Sequence, residues 1–222
     1  MKLYNLLVLL IFLSCQNNSS TVPDKNESSE PTVAETQEAA TLPAGRDLET
    51  MNVSKGVINW TASKIGGQHL GTVHVKSGSI TVLNGTLITG EFLIDMNTIE
   101  NTDLEGERKT KLENHLRSED FFDVEQYPTA KFLITEVING SEAPQATHTI
   151  TGDLQIRNIT RSITFPANVS FIGDQIMVST PAFNIDRTLW RLKYRSKALG
   201  TAPDLIINDN ISLVITVDAI TT

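Results

Sequence analysis

From Val53 onward, apolar and polar residues alternate with a period of two in short runs separated by turn-forming residues. Val57–Ala62 is the first run. Leu70–Val75 sets Gly71, Val73 and Val75 on one face against Leu70, Thr72 and His74 on the other. Ser77-Gly78-Ser79 is expected to bend or bulge the chain before Ile80–Leu83. Asn84-Gly85 is a hairpin signal, because both residues tolerate positive φ. Thr86–Met96 follows with Gly90, Phe92, Ile94 and Met96 in phase, and His148–Ile156, Arg161–Phe171, Gln175–Ile185 and Ile211–Val217 continue the pattern. With the run that begins at Thr129, the pattern predicts about eight antiparallel strands, closed into a barrel or packed as a sandwich. Periodicity alone leaves both open.

The period changes between Asp103 and Leu116. There Leu104, Arg108, Lys111, Leu112 and Leu116 recur at helical spacing, with charged residues between them. Thr102 or Asp103 is placed to cap this helix, and Glu105 and Glu107 lie where the helix dipole favours acids. The leucine stripe is expected to pack on the sheet.

The helix runs into HLRSEDFFDVEQYPTAKF, His115 to Phe132, in which Phe121 and Phe122 sit among Glu119, Asp120, Asp123 and Glu125. Rings beside carboxylates suit a corner where a loop enters the core and returns as a strand. Pro128 biases Tyr127 towards an extended conformation, so the strand is expected just after it, with Phe132 the first residue to reach the interior.

Composition narrows the class. A chain of 222 residues that is 40% hydrophobic can bury a sizeable core, and a net charge of −8 argues against a nucleic-acid partner or a polybasic membrane patch. Lys2, the apolar run Leu6–Leu13 and Ser14 fit a signal peptide over residues 1–14; the run is too short to span a bilayer. The single cysteine, Cys15, follows at once, which rules out a disulfide within the chain and is similar to a bacterial lipobox, where the thiol is acylated. Residues 15–50 are rich in Ser, Thr, Glu, Gln, Pro and Asn without aromatics, and are expected to form the acylated cysteine and a disordered tether. The folded domain is then residues 51–222, exported and held at the cell envelope. Gln16 stands where an inner-membrane retention signal often has aspartate, which points to the outer membrane, facing the periplasm.

The stretch His115–Phe132 resembles the signature of the YceI-like lipid/polyisoprenoid-binding family. Trp60-Thr61 with Lys64, Gly67 and His69-Leu70-Gly71 also match, as do Gly90-Glu91-Phe92, Ile94-Asp95-Met96 and Ile185-Asp186-Arg187. Thr151–Thr160 matches with Asn158 where glycine is usual, which concerns only the local turn. The resemblance implies an all-β fold, an extended eight-stranded antiparallel lipocalin-like barrel with one side helix. It further implies a non-enzymatic carrier or binder whose ligand is a long isoprenoid or similar amphiphilic lipid, with no other cofactor.

The residue pattern permits that reading. Trp60, Phe92, Ile94, Phe132, Ile134, Leu154, Ile163, Phe165, Leu213 and Ile215 fall on inward faces and would line an apolar tunnel. The same side chains would equally fill it, which is the rival reading of a ligand-free structural or protein-interaction domain. Asp186, Arg187, Trp190 and Arg191, in a run of five cations interleaved with Trp190 and Tyr194, are the candidates for meeting a lipid headgroup, against the plainer reading of a solvent-facing hairpin. His69, His74, His115 and His148 have no metal-ligand spacing, so no metal is expected, and no triad or phosphate loop is visible. Catalysis through Asp120/Asp123 or Asp186/Arg187 is a third, weaker alternative.

Overall fold

The computed structural model describes residues 47–221. Expectations for the signal peptide, Cys15 and most of the tether fall outside the described residues. The strands are β1 (Leu48–Lys64), β2 (Gly67–Leu83), β3 (Thr86–Asn101), β4 (Thr129–Asn139), β5 (His148–Ile156), β6 (Ile159–Ile172), β7 (Gln175–Ser179), β8 (Phe183–Asp186) and β9 (Ile207–Thr221). Residues 48–50, expected in the tether, are therefore already strand. Neighbours pair antiparallel in the order β1-β2-β3-β4-β5-β6-β7-β9, and β9 pairs back onto β1. The sheet is a closed eight-strand barrel, which decides between the barrel and the sandwich that the alternation left open.

One expected strand is split. Gln175–Ile185 breaks into β7, paired with Thr216–Ile220, and β8, paired with Asn210–Leu213, on the same edge of β9. Pro181 lies in the gap and has no N–H for the ladder. Thr180 bridges the interruption: its N–H donates to the Ile215 carbonyl, and the Ile215 N–H donates to Thr180 Oγ1, both at 2.9 Å.

The first three strands have 17, 17 and 16 residues. Register shifts bend them, including one between Val75 and Ser77, where Ser77-Gly78-Ser79 is expected to bulge the chain. Asn84 and Gly85 make the β2–β3 turn with φ of 50° and 74°. In the β5–β6 turn the positive φ falls on Arg157, not on Asn158, so position 158 has no need of glycine.

The helix α1 (Gly106–Arg117) spans the β3–β4 connection. Its N-cap is Glu105, without a side-chain cap, rather than Thr102 or Asp103. Asp103 is occupied elsewhere, accepting from the Leu70 N–H at 2.7 Å, Asn101 Nδ2 at 2.5 Å and His69 Nδ1 at 2.9 Å. Burial opposes its charge, but these contacts outweigh it and hold the carboxyl below its ordinary range. Glu113 accepts from the Asn101 N–H at 2.9 Å, and Arg117 Nη2 donates to the Ile99 carbonyl at 2.7 Å, tying α1 to the end of β3.

The stretch after α1 closes its C-terminus. The Phe122 and Val124 N–H groups donate to the Leu116 and Arg117 carbonyls at 3.1 and 2.9 Å, satisfying acceptors that a helix end leaves without partners. The wrap is tight enough to need a positive φ at Asp123, 49°, where aspartate is tolerated. Its carboxylate lies 3.6 Å from Arg157. This is the corner expected for Phe121 and Phe122.

Two apolar clusters form the inner face of the barrel. At the end carrying the β2–β3, β4–β5 and β6–β7 connections, Met51, Val82, Ala167, Ile176 and Ala219 are buried to 2% exposure or less and pack a solid floor. At the other end, Trp60, Ile94, Leu116, Phe121, Trp190 and Leu192 join the barrel to α1 and to the β8–β9 connection.

Candidate functional site

Between the floor and α1 the barrel is hollow. The cavity measures about 850 Å³, within the range of about 300–1,000 Å³ usual for small-molecule sites. All ten inward positions named from the alternation line it: Trp60, Phe92, Ile94, Phe132, Ile134, Leu154, Ile163, Phe165, Leu213 and Ile215. Alternation places a side chain inward, and the closed barrel gives all inward faces one common interior.

Two glycines let aromatic rings lie flat on the wall. Gly71 pairs with Trp60 across β1–β2, and a Cβ there would come within 2.2 Å of the indole and 2.0 Å of the Glu100 carbonyl. Gly152 likewise accommodates the Phe132 ring, whose nearest atom would be 2.4 Å from an added Cβ. Around the wall the rings of Phe92, Phe132, Phe165 and Phe183 follow one another at centroid spacings of 6.3, 5.6 and 4.6 Å.

The helix is more than packing. Leu104, Arg108, Lys111, Leu112 and Leu116, the helical stripe of the sequence, all line the cavity, joined by His115. The His115 ring stands edge-on to Tyr194 at 4.4 Å and to Phe121 at 5.1 Å, so α1, the following turn and the β8–β9 connection meet over the mouth. Phe121 and Phe122 both line the cavity, and on β4 the first lining residue is Ala130, not Phe132.

The expected headgroup set is not assembled. Of Asp186, Arg187, Trp190 and Arg191, only Arg187 touches the cavity. Asp186 caps the 3-10 turn Arg187–Trp190, its Oδ1 accepting from the Thr188 N–H at 2.9 Å and Oγ1 at 2.7 Å. Trp190 is fully buried, and its Nε1–H donates to the Leu154 carbonyl at 3.0 Å. Arg191 is an exposed left-handed residue with φ of 62°.

Arg187 is 2% exposed and holds the β8–β9 connection together. Its guanidinium donates to the carbonyls of Asn208, Leu192 and Ile207 and to Asp209 Oδ1. Burial depresses its pKa, with Asp209 and Asp186 opposing the effect. The Ile-Asp-Arg motif is therefore a loop scaffold. The planar five-donor fork explains why arginine suits this place.

Lys64, His69, Arg108, Lys111 and His115, none of them expected as ligand contacts, line the mouth together with Tyr194 and Arg195. Arg108 and Lys111 were legible as members of the helical stripe. Tyr194 and Arg195 belong to the run of five cations with interleaved aromatics, and with Arg187 they are its members that reach the cavity. Lys64 carried no sign of a ligand role, since it lies at the edge of a turn whose placement the barrel decides.

With this geometry in view, the match to known proteins is direct: a YceI-like domain model covers residues 50–219. The chain belongs to the YceI-like family. Among curated relatives, a UPF0312 protein of Pseudomonas putida strain W619 is 31% identical over 117 residues, covering 52% of this chain and 57% of that one. One from Photorhabdus laumondii is 39% identical over 57 residues, 26% of this chain and 28% of that one. The chain thus spans about half the length of the Pseudomonas putida relatives it matches. Two solved structures share the fold. BcnA of Burkholderia cenocepacia has a TM-score of 0.55 at 15% identity, covering 74% of this chain and 96% of its own. A Saccharophagus degradans protein described as a polyisoprenoid binding domain implicated in plant cell wall breakdown has 0.54 at 14%, covering 79% and 100%. In this chain the YceI-like barrel holds an apolar cavity.

Proposed function

We propose that this YceI-like barrel binds a long-chain isoprenoid or similar amphiphilic lipid, with the chain buried between floor and helix. The observation that carries the reading is the cavity of about 850 Å³ with an aromatic and aliphatic wall. Each methylene moved from water into such a wall contributes about 0.8 kcal/mol, so a long chain needs few polar contacts. The polyisoprenoid-binding description of the Saccharophagus relative supports the choice of lipid. The rival reading, a solid scaffold for protein partners, requires an interior filled by its own side chains, and the hollow between floor and α1 disfavours it. The protein acts without turnover, as an envelope carrier or store.

The position of Cys15 behind the apolar run Leu6–Leu13 supports acylation there, with attachment to the outer membrane facing the periplasm. Two experiments test the proposal. Organic extraction of the purified full chain, read by mass spectrometry, is expected to yield an isoprenoid-like lipid that a Leu154→Trp variant loses; a wild-type chain that is empty and takes up no added lipid refutes binding. Cys15→Ala is expected to move the chain from membrane to soluble fractions, and an unchanged distribution refutes the anchor.

A further inference from the structure

The chain carries 26 acidic and 18 basic residues, yet among the described residues no aspartate or glutamate lines the cavity. The charged side chains that do line it are Lys64, Arg108, Lys111, Arg187 and Arg195, all cationic. Arg187 is buried and committed to its carbonyls and Asp209. The other four are exposed, at the end away from the solid floor.

Some cations elsewhere are paired with acids, whereas among the described residues these four are not. Lys109, one residue from Arg108 on α1 but off the cavity, pairs with Glu100 at 2.6 Å; Arg117 pairs with Glu113 and Arg157 with Asp123. Among the described residues, Lys64, Arg108 and Lys111 have no carboxylate within 4.0 Å, and Arg195 has only the Tyr194 ring, 5.3 Å from its guanidinium carbon. Helical spacing turns Arg108, Lys111 and His115 towards the cavity while Glu105, Glu107 and Glu113 stay out of its lining. Asp103 and Asp120 contact the lining histidines His69 and His115 and are themselves outside the lining.

Resting on the lipid-binding reading above, we infer that the mouth selects an amphiphile with an acidic headgroup, a phosphate or a carboxylate, held by Lys64, Arg108, Lys111 and Arg195. The apolar chain occupies the interior, and the anion stays at the rim, where four cations without carboxylate partners among the described residues supply N–H donors of the kind oxyanions accept. A net-negative protein would otherwise repel such a ligand, so the local sign reversal is a selectivity element.

The test uses the full chain and two matched probe pairs, geranylgeranyl phosphate with geranylgeraniol, and palmitoleate with palmitoleyl alcohol, by calorimetry at low and high salt. At least one acid is expected to bind on the order of tenfold tighter than its alcohol at low ionic strength. The preference should shrink with salt, since the screening length falls from about 30 Å at 0.01 M to about 3 Å at 1 M. The triple variant K64Q/R108Q/K111Q is expected to lose the preference, read as the ratio of acid to alcohol affinity. K55Q/K76Q/K131Q removes the same charge from exposed sites outside the lining and is expected to keep it. Which acid shows the preference names phosphate or carboxylate. Equal binding of acid and alcohol, or equal loss in both triple variants, overturns the headgroup assignment and leaves lipid binding intact. Failure of all four probes to bind overturns both.

Discussion

Arg187 Nη2 lies 3.0 Å from Asp209 Oδ1, with the arginine side chain 3% exposed and the aspartate 29%. This pair fixes the far end of the β8–β9 connection, because Asp209 Oδ2 also accepts from Ser196 Oγ at 2.9 Å and Arg187 spans the carbonyls of Leu192, Ile207 and Asn208. One side chain thus fastens the loop that carries Tyr194 and Arg195 to the cavity mouth.

Breaking it should destabilise the fold. Arg187→Met leaves Asp209 and three carbonyls without their donor, and removal of one partner of a buried pair costs about 3–5 kcal/mol. Arg187→Lys is expected to recover little, since one ammonium cannot reach four acceptors in a plane. Urea denaturation checks both. A loss below about 1 kcal/mol in Arg187→Met would return the motif to the list of ligand contacts.

The glycines under the rings make a second case. Gly71→Ala places a methyl into the Trp60 indole and the Glu100 carbonyl, and the backbone oxygen cannot swing away. Overpacking of this kind costs about 1–3 kcal/mol. Gly67→Ala, with open space around its Cβ, is the matched control and should change stability by less than about 0.5 kcal/mol. Thermal melts of the two variants decide it.

Floor and wall should respond differently to truncation. Ile176 is fully buried and outside the cavity lining, so Ile176→Ala should cost about 2–5 kcal/mol. Leu213 is half-buried and faces the cavity, so part of its surface already lacks packed partners and Leu213→Ala should cost clearly less. Only the Leu213 variant should alter lipid uptake. Denaturation paired with a lipid-binding assay separates the two, and equal destabilisation would mean the wall is packed like the floor.

Asp103 gives the fold an acid-sensitive tie. Its folded pKa lies below the ordinary value of about 3.9, so the unfolded chain binds the proton more readily. Its contribution is complete above about pH 4 and is lost as pH falls through the folded pKa. Asp103→Asn should therefore be less stable than wild type near neutrality, with the difference narrowing below about pH 4. Stability measured from pH 7 to pH 2 tests the sign, and a gap that widens in acid contradicts it.

Much of this was legible in single residues. Period-two alternation named ten inward positions, and the closed barrel gives them one interior. The helical stripe from Leu104 to Leu116 was equally visible, although its expected role was packing and it also roofs a cavity. The Ile-Asp-Arg run was misread for a physical reason. A cluster of cations in sequence looks the same whether its side chains face a ligand or their own loop, and only the carbonyls of Leu192, Ile207 and Asn208, brought back by β9, distinguish the two.

The sequence by itself determined the strand and helix periods, the Asn84-Gly85 turn, the family signature and the identity of the inward side chains, because these depend on local backbone preference and on which face a residue takes. Tertiary structure alone decided that β9 closes on β1, that the interior is hollow above a packed floor, and that Lys64, Arg108, Lys111 and Arg195 share one mouth with no acid from the described residues in its lining. Closure and cavity volume depend on how faces far apart in the chain fit together, and alternation carries no measure of that distance.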